Sequence, residues 1–529
     1  MIIDLRSLPG QNNFNCDLCI IGGGAAGIAM ALEFLGTGVE VLLLESGGFE
    51  LEDETQELYR GEDIGLPYFD LEYARLRYFG GTTNHWGGMS APLSPIDFQE
   101  RAWVAHSGWP ITYETFKSYL PRASKAIEIP NSNYDALYWL DHTSKKTGHN
   151  AEEYRQNLLQ FDQYFKLGMF QFSPPTQFGK TYRSTLENAH NIKVLLNANV
   201  TSIDTLSNPH VVDRVSVATL DGKQSNIHPK QVVLATGGVE NARLLLASNQ
   251  THTRGLGNDQ DLVGRFFADH IELESGYILS PKTSEFLKLF AEHRDTARFS
   301  LEVLPEIQRS KKMLNIGLTL TKVPNRSRSV DGVAAARRIK HSIDNGKWPN
   351  NFFSEVGTAI MDIDDVISYI GSKNTEGDGD FFMITNRVEP QPNPNSRITL
   401  SDQKDALNIP EVKLNWQLSE VDYYSIYEMH KMLGKLLGAS GHGRINIELE
   451  EEFGEWPGVT QGGNHHMGTT RMSDTPSKGV VDKNCKVFNI ANLYVAGSSI
   501  FPTFGKANPT MNLVALTIRL ADHLKKAMG

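Results

Sequence analysis

The hydrophobic pattern opens on a short apolar run at residues 18–21, which gives way at once to GGGAAG. An amphipathic stretch follows through Phe34, and then VEVLLLES, ending near Glu45. This predicts a strand, a helix and a second strand in one βαβ unit. The same switch from apolar run to glycine to helical period recurs in KQVVLATGGVENARLLLAS from Lys230. NIKVLLNANVTSID, from Asn191, predicts a strand pair. NLYVAGSSIFPT predicts a strand over residues 493–496 that turns at Gly497. KANPTMNLVALTIRLADHL then predicts a helix with Asn508 at the N-cap, Pro509 in the first helical position and an apolar face of Leu513, Leu516 and Leu520.

Elsewhere the pattern is less regular. Residues 101–180 read as helical and polar, with GWPITYETFKSYLPRASKAIEI as a Pro-started helix and a connector. In residues 276–455, FFMITNRVEPQ and NSRITLSD predict antiparallel strands, and EVDYYSIYEMHKMLGKLLGAS predicts one long helix. The basic run ARRIKHSIDNGK reads as a solvated face.

A chain of 529 residues exceeds one ordinary core and implies two domains. The net charge of −11 argues against a nucleic-acid partner. MIIDLRSLPGQNN has neither a basic nor an apolar signal region, and no apolar run is long enough for a bilayer span. These features predict a cytoplasmic protein; the alternative is periplasmic, by co-export with a signal-bearing subunit. Cys16 and Cys19 have redox or metal spacing, but they fall inside the opening strand, and no second pair completes a zinc site. Buried strand positions are the expectation, with no metal. Three cysteines cannot ligate a conventional iron–sulfur cluster either.

Gly22, Gly24 and Gly27 form G-x-G-x-x-G between the first strand and its helix, and Glu45 lies 21 residues after Gly24. Gly22 suits the tight turn, Gly24 the approach of a pyrophosphate and Gly27 close helix packing; Glu45 suits ribose hydroxyls. Further nucleotide-type signals return near Val200, whose backbone suits an adenine, and at Gly237 and Gly497. One long cofactor stretched across a discontinuous domain explains this scatter, which points to FAD over NAD. The expected fold is α/β: a discontinuous Rossmann-like FAD-binding domain (residues 1–100, 180–275 and 456–529) and an α+β substrate domain (101–179 and 276–455), whose antiparallel sheet is backed by helices.

Two stretches carry candidate chemistry. NHHMGTTRM, from Asn464, places His465 where it can take a proton, opposite Asn508 at the start of the last helix. That helix start, with Pro509 and Thr510, suits developing negative charge. In RYFGGTTNHWGGMSAP, paired glycines flank Thr82, Asn84 and His85, so backbone can run against a planar ring. His85 has three readings: a hydrogen-bonding anchor, which the residues alone favour, a catalytic base, or a covalent flavin attachment point.

Together GGGAAG with Glu45, FGGTTNHWGG, VVLATGGVENARLLL, GRFFADH ending at His270, HHMGTTRM, AGSSIFPT and NPT resemble the glucose–methanol–choline (GMC) oxidoreductases. The likeness is greatest to the branch of pyranose oxidases and bacterial sugar and polyol dehydrogenases. It runs from about Cys16 to the last helix and is loosest over residues 276–455. The resemblance implies FAD and oxidation of an alcohol carbon. In H-x-x-G-T the base stands three residues before the glycine, so Gly468 points to His465, with His466 in a supporting role. Asn508 matches the second active-site position, His85 the flavin attachment point of some members, and Gly497 and Ser498 lie in the family's AGSS motif. The substrate implied is a small alcohol or carbohydrate. The acceptor is open between a quinone, a cytochrome and oxygen, with a dehydrogenase ahead of an oxidase and a non-redox FAD lyase as the alternative from another class. A small partner subunit is a further expectation. Some members of the branch carry an extra cysteine cluster that this chain lacks.

Overall fold

The computed structural model describes every residue except 11, 149, 281–283, 295, 324–379 and 459. The run ARRIKHSIDNGK therefore lies outside the described residues.

The fingerprint strand is longer than its apolar run predicts, spanning Asn12–Ile21, and the helix Ala25–Glu33 and strand Val41–Leu44 complete the βαβ unit. The first half of that strand is only partly buried, so its sequence does not read as apolar. It lies at the centre of an eight-stranded sheet, between Val41–Leu44 and Gln224–Leu234, and parallel to both. Leu493–Val495 pairs in parallel with Gln224–Leu234 from the far end of the chain. Register fixes where the connections emerge. Ile21 pairs with Leu44 and with Leu234, and Leu234 pairs with Val495, so all four strands end at one level. Gly22, Glu45, Thr236 and Gly497 thus leave the same carboxyl edge, where ligands bind in open α/β sheets. The strand pair Ile192–Leu196 and Asn199–Asp204 does not form a hairpin within the sheet. The first joins the parallel edge beside Val41–Leu44, and the second joins the opposite, antiparallel edge through Arg214–Ala218.

Cys16 and Cys19 are free and buried in the fingerprint strand, as is Cys485 elsewhere. A buried thiol in a strand behaves as a small hydrophobe.

Among the described residues, a nine-stranded sheet forms the second wall. Among its strands Ile271–Ser280, Asp380–Val388, Ile316–Val323, Ala297–Val303 and Phe165–Phe172 pair antiparallel in that order. FFMITNRVEPQ supplies one of these strands. NSRITLSD does not join them: Arg397–Lys404 pairs antiparallel with Pro410–Asn415 in a separate three-stranded sheet. Phe165–Phe172 corrects the helical reading of residues 101–180. Its buried stretch sits among polar helices such as Ala151–Leu159, whose composition masks it. The Pro-started helix is likewise two short helices, Tyr113–Lys117 capped by Thr112, and Leu120–Ala126. The long helix runs over Glu420–Ser440 as its pattern predicts, with a Ser419–Asp422 capping box and left-handed Gly441 at its end.

Two hydrophobic clusters result. One holds the parallel sheet and the last helix, and it also takes in Trp109, Phe116, Leu120 and Ile127; the other lies between the antiparallel sheet and the helix Glu420–Ser440. No helix among the described residues is long and apolar enough to cross a membrane.

Candidate active site

A cavity of about 610 Å³ opens at the carboxyl edge of the parallel sheet. Gly22, Gly24, Glu45, Thr82, His85, Val200, Gly237, Gly497, Ser498, His465, Asn508, Pro509 and Thr510 all line it. Of the residues singled out from the sequence, Gly27 and Asn84 do not. Gly27 packs under the turn, where an added Cβ would come within 1.8 Å of the Gly22 carbonyl. Asn84 turns inward: its Nδ2 donates to the Phe79 carbonyl at 3.1 Å, and its own carbonyl accepts from Gln177 at 3.0 Å. It shapes the loop from behind.

Three helices begin on this cavity: Ala25–Glu33, Gly237–Ala247 and Pro509–Met528. None has a side-chain cap at its N-terminus. Their first N–H groups and partial positive charge therefore face a shared space, a setting for anionic groups. An added Cβ at Gly24 or Gly237 would meet nothing within 4 Å, so both glycines leave room against the helix starts. Glu45 is buried. Its Oε2 accepts from the Gly23 N–H at 2.8 Å and its Oε1 from the Gly47 N–H at 2.9 Å. Those bonds hold the glycine turn, and each oxygen keeps a second lone pair. Burial pushes the Glu45 carboxyl upward, against the pull of these N–H groups and of Arg77.

Beyond Glu45 lies a charged wall that the sequence reading missed. Glu240 binds Arg75 at 2.8 Å, Arg77 at 3.3 Å and Arg243 at 3.3 Å, and Arg243 also reaches Asp405 at 2.8 Å. Arg75 and Arg77 stack over Tyr59 at 4.0 and 4.6 Å. Burial drives Glu240 upward, but the three guanidiniums outweigh it and hold the carboxyl at about 2. This cluster ties the loop carrying His85 to the helix Gly237–Ala247. The available signal was Arg-x-Arg before FGG together with Glu240 and Arg243 in a mostly apolar helix.

The antiparallel sheet brings two more charges to the cavity. Glu272 and Arg387 are cross-strand partners. Arg387 Nη2 donates to Glu272 at 2.5 Å, and its Nη1 donates to Asn508 Oδ1 at 2.5 Å. The Asn508 side chain is thereby drawn away from capping its own helix. Neither charge was legible as part of the site without the strand pairing.

His465 is half-buried and His466 is buried. Asp269 Oδ1 accepts from the His465 backbone N–H at 2.8 Å, while Tyr68 donates to Oδ2. Burial, followed by the neighbouring His270, Arg387 and His466, lowers His465 well below an ordinary imidazole. The ring is therefore neutral at neutral pH and able to accept a proton. His466 packs against Phe267 and Tyr68 with ring centroids 5.8 and 5.9 Å away, and its backbone carbonyl accepts from Ser498 Oγ at 2.7 Å. Asp269, His270 and His465 bring ligand-type atoms within 4.8 Å of one another, and their mutual hydrogen bonds and that from Tyr68 account for the closeness.

A family model described as GMC oxidoreductase matches residues 392–517, the part of the chain that holds His465 and the start of the last helix. The chain carries the C-terminal domain of a GMC oxidoreductase over those residues. It is 23% identical to the 2-methyl-1,2-propanediol dehydrogenase of Mycolicibacterium austroafricanum, over 96% of this chain and 95% of that one. It is also 23% identical to the fructose dehydrogenase large subunit of Gluconobacter japonicus, over 97% and 98%. The formate oxidase of Aspergillus oryzae RIB40 shares the fold with a TM-score of 0.55 at 17% identity, over 97% and 98% of the two chains. The cavity fits the expected FAD: glycines clear of Cβ atoms front uncapped helix starts for a pyrophosphate, and the lining continues to His465 and Asn508.

Proposed function

We propose that this chain is a GMC oxidoreductase that oxidises an alcohol carbon of a sugar, glycoside or polyol and passes the electrons to an acceptor other than oxygen. The observation that carries the reading is the pairing, on one cavity, of a neutral His465 with an Asn508 whose Oδ1 is already occupied by Arg387. An alcohol O–H needs one acceptor for its hydrogen and one donor for its oxygen. His465 is the acceptor and Asn508 Nδ2 the donor. Bound FAD supplies the hydride-accepting ring. His465 takes the hydroxyl proton as the C–H bond breaks, a form of assistance contributing roughly two to four powers of ten in rate. Asn508 holds the oxygen, and the uncapped helix beginning at Pro509 favours negative charge nearby.

The two full-length relatives named as a diol dehydrogenase and a fructose dehydrogenase support this substrate class and the dehydrogenase reading. The name of the second, a large subunit, supports a small partner subunit, which co-purification from the native source would reveal. His85 faces the cavity and carries the proposal of a covalent flavin bond, tested by whether colour stays with the chain after denaturation.

Anaerobic mixing with a panel of sugars, glycosides and polyols tests the whole reading. Bleaching of the flavin by a carbohydrate or polyol supports it, and a pale solution that stays pale on admission of air supports the dehydrogenase. Rapid recolouring makes the enzyme an oxidase. No bleaching by any alcohol, with FAD bound, overturns the reading in favour of a lyase.

A further inference from the structure

We propose that His270 is a positioning residue that sets the tautomer of His465, leaving Nε2 of that ring as the bare nitrogen that accepts the substrate proton. The inference rests on the reading of His465 as the base. The two histidines meet through backbone register. Ala268 and Met467 form an antiparallel bridge, exchanging N–H···O bonds of 3.0 and 2.9 Å. Two residues onward in one segment and two back in the other lie His270 and His465, opposite each other.

Their Nδ1 atoms are 3.0 Å apart, with the ring planes at 89°. The other nitrogen of His270, Nε2, lies 2.8 Å from the Gly505 carbonyl oxygen. A carbonyl only accepts, so that nitrogen carries a hydrogen. A neutral imidazole has one N–H, so His270 Nδ1 is a bare lone pair. The hydrogen between the two Nδ1 atoms therefore belongs to His465, and Nε2 of His465 is left without one. The chain of donors runs from His465 Nδ1–H to His270 Nδ1, and from His270 Nε2–H to Gly505.

His270 stays neutral in this role. It is fully buried, and burial, then Arg387, lowers it to about 3 against the Gly505 hydrogen bond, with Lys506 acting in the same direction as Arg387. The charged and titratable groups around the histidine pair are Asp269, Glu272, Arg387, His466 and Lys506. Phe504 closes the remaining side, edge-on to His270 at 5.0 Å. When His465 gains a proton at Nε2, its Nδ1–H keeps the His270 lone pair as its acceptor, so the ring holds its orientation. No proton passes to His270.

The Gly505 carbonyl is itself fixed. An added Cβ at Gly505 would lie 2.6 Å from both Asp97 Oδ1 and Asn315 Nδ2, so this turn is pressed against buried polar groups. Phe504 N–H donates to Glu389 at 3.1 Å, and Thr503 Oγ1 donates to the Asp97 carbonyl at 2.7 Å. The anchor of the chain is thus as rigid as the core behind it.

Three FAD-loaded variants test the inference by anaerobic flavin reduction with a reactive alcohol found in the panel. His270→Phe keeps ring size but cannot accept a hydrogen bond. It is expected to slow reduction by about tenfold or more, as loss of an orienting partner does, with substrate dissociation constant and FAD content unchanged. His270→Asn places Oδ1 near the position of Nδ1 and should recover much of the rate. His465→Ala separates the two claims. If it reduces flavin at the wild-type rate, the base assignment fails. If it is slow while His270→Phe keeps the wild-type rate, the positioning role alone fails. Should His270→Phe not hold FAD, nitrogen-15 NMR of the wild-type holoenzyme decides. An Nδ1–H on His465 supports the inference, and an Nε2–H overturns it.

Discussion

Arg387 Nη1 donates to Asn508 Oδ1 over 2.5 Å, and this one bond decides which end of the asparagine amide is offered to the cavity. A guanidinium only donates, so Oδ1 is the acceptor and Nδ2 is left as the donor. The helix Pro509–Met528 correspondingly has no side-chain cap, although asparagine at its N-cap could supply one. Asn508→Asp would keep size and gain an ion pair with Arg387 but lose the donor. Flavin reduction should fall by about a hundredfold, within the range for loss of an oriented oxyanion donor. FAD should remain bound. Stopped-flow absorbance of the two proteins checks this.

The phosphate turn offers a contrast between neighbouring glycines. An added side chain at Gly24 meets only open space, whereas a Cβ at Gly27 comes within 1.8 Å of the Gly22 carbonyl. Gly24→Val should therefore give a folded, colourless protein whose thermal midpoint matches the wild-type apoprotein. Gly27→Ala should lower the midpoint as well as cofactor content, because the turn and its helix must part. Cofactor absorbance and thermal unfolding of the two variants separate the outcomes.

The pH dependence of flavin reduction follows from the environment of His465. Its protonated form is disfavoured by burial and by the neighbouring His270, Arg387 and His466, so its folded pKa lies well below the usual 6.5. The base is competent wherever the ring is neutral. The rate of reduction should be flat from neutral pH down through 6.5 and fall only at distinctly lower pH. A half-maximal point at or above 6.5 would contradict the assigned burial. The same shift makes His465 contribute to stability above the unfolded pKa, a contribution lost as pH falls toward the folded one.

The loop that carries Gly505 and Asn508 rests on a buried ion pair. Arg101 binds Glu389 through both terminal nitrogens, at 2.8 and 2.9 Å, and both side chains are fully buried. Arg101→Met leaves Glu389 uncompensated and should cost about 3–5 kcal/mol in denaturant unfolding. Asp97 nearby is raised to about 7 by burial and then by Glu389, against the pull of Arg101. Its folded pKa exceeds the unfolded 3.8, so its stabilising contribution is present at low pH and is lost as pH rises through 7. Asp97→Asn should flatten the loss of stability between about pH 4 and 7.

The parts of the site that run along the chain were legible because periodicity and glycine spacing are local signals. The strand–turn–helix of Gly22, Gly24 and Gly27, the second unit at Gly237 and the helix starting after Asn508 all have this form, and the structure gathers them on one edge. Glu272, Arg387 and the facing pair His270 and His465 were not legible as partners. Each meets its neighbour through β-register between segments far apart in sequence. Phe165–Phe172 was hidden for a related reason: helices and polar segments surround it, and its partner Ala297–Val303 lies far downstream. Asn84, expected at the cofactor from its place between glycine pairs, binds backbone behind the loop.

The account turns on His465 as the base, and the most direct measurement is the anaerobic reduction rate of FAD-loaded His465→Ala against wild type at saturating substrate. The account predicts equal FAD content and a rate lower by about a hundredfold or more. Reduction at the wild-type rate, with FAD equally bound, would contradict it.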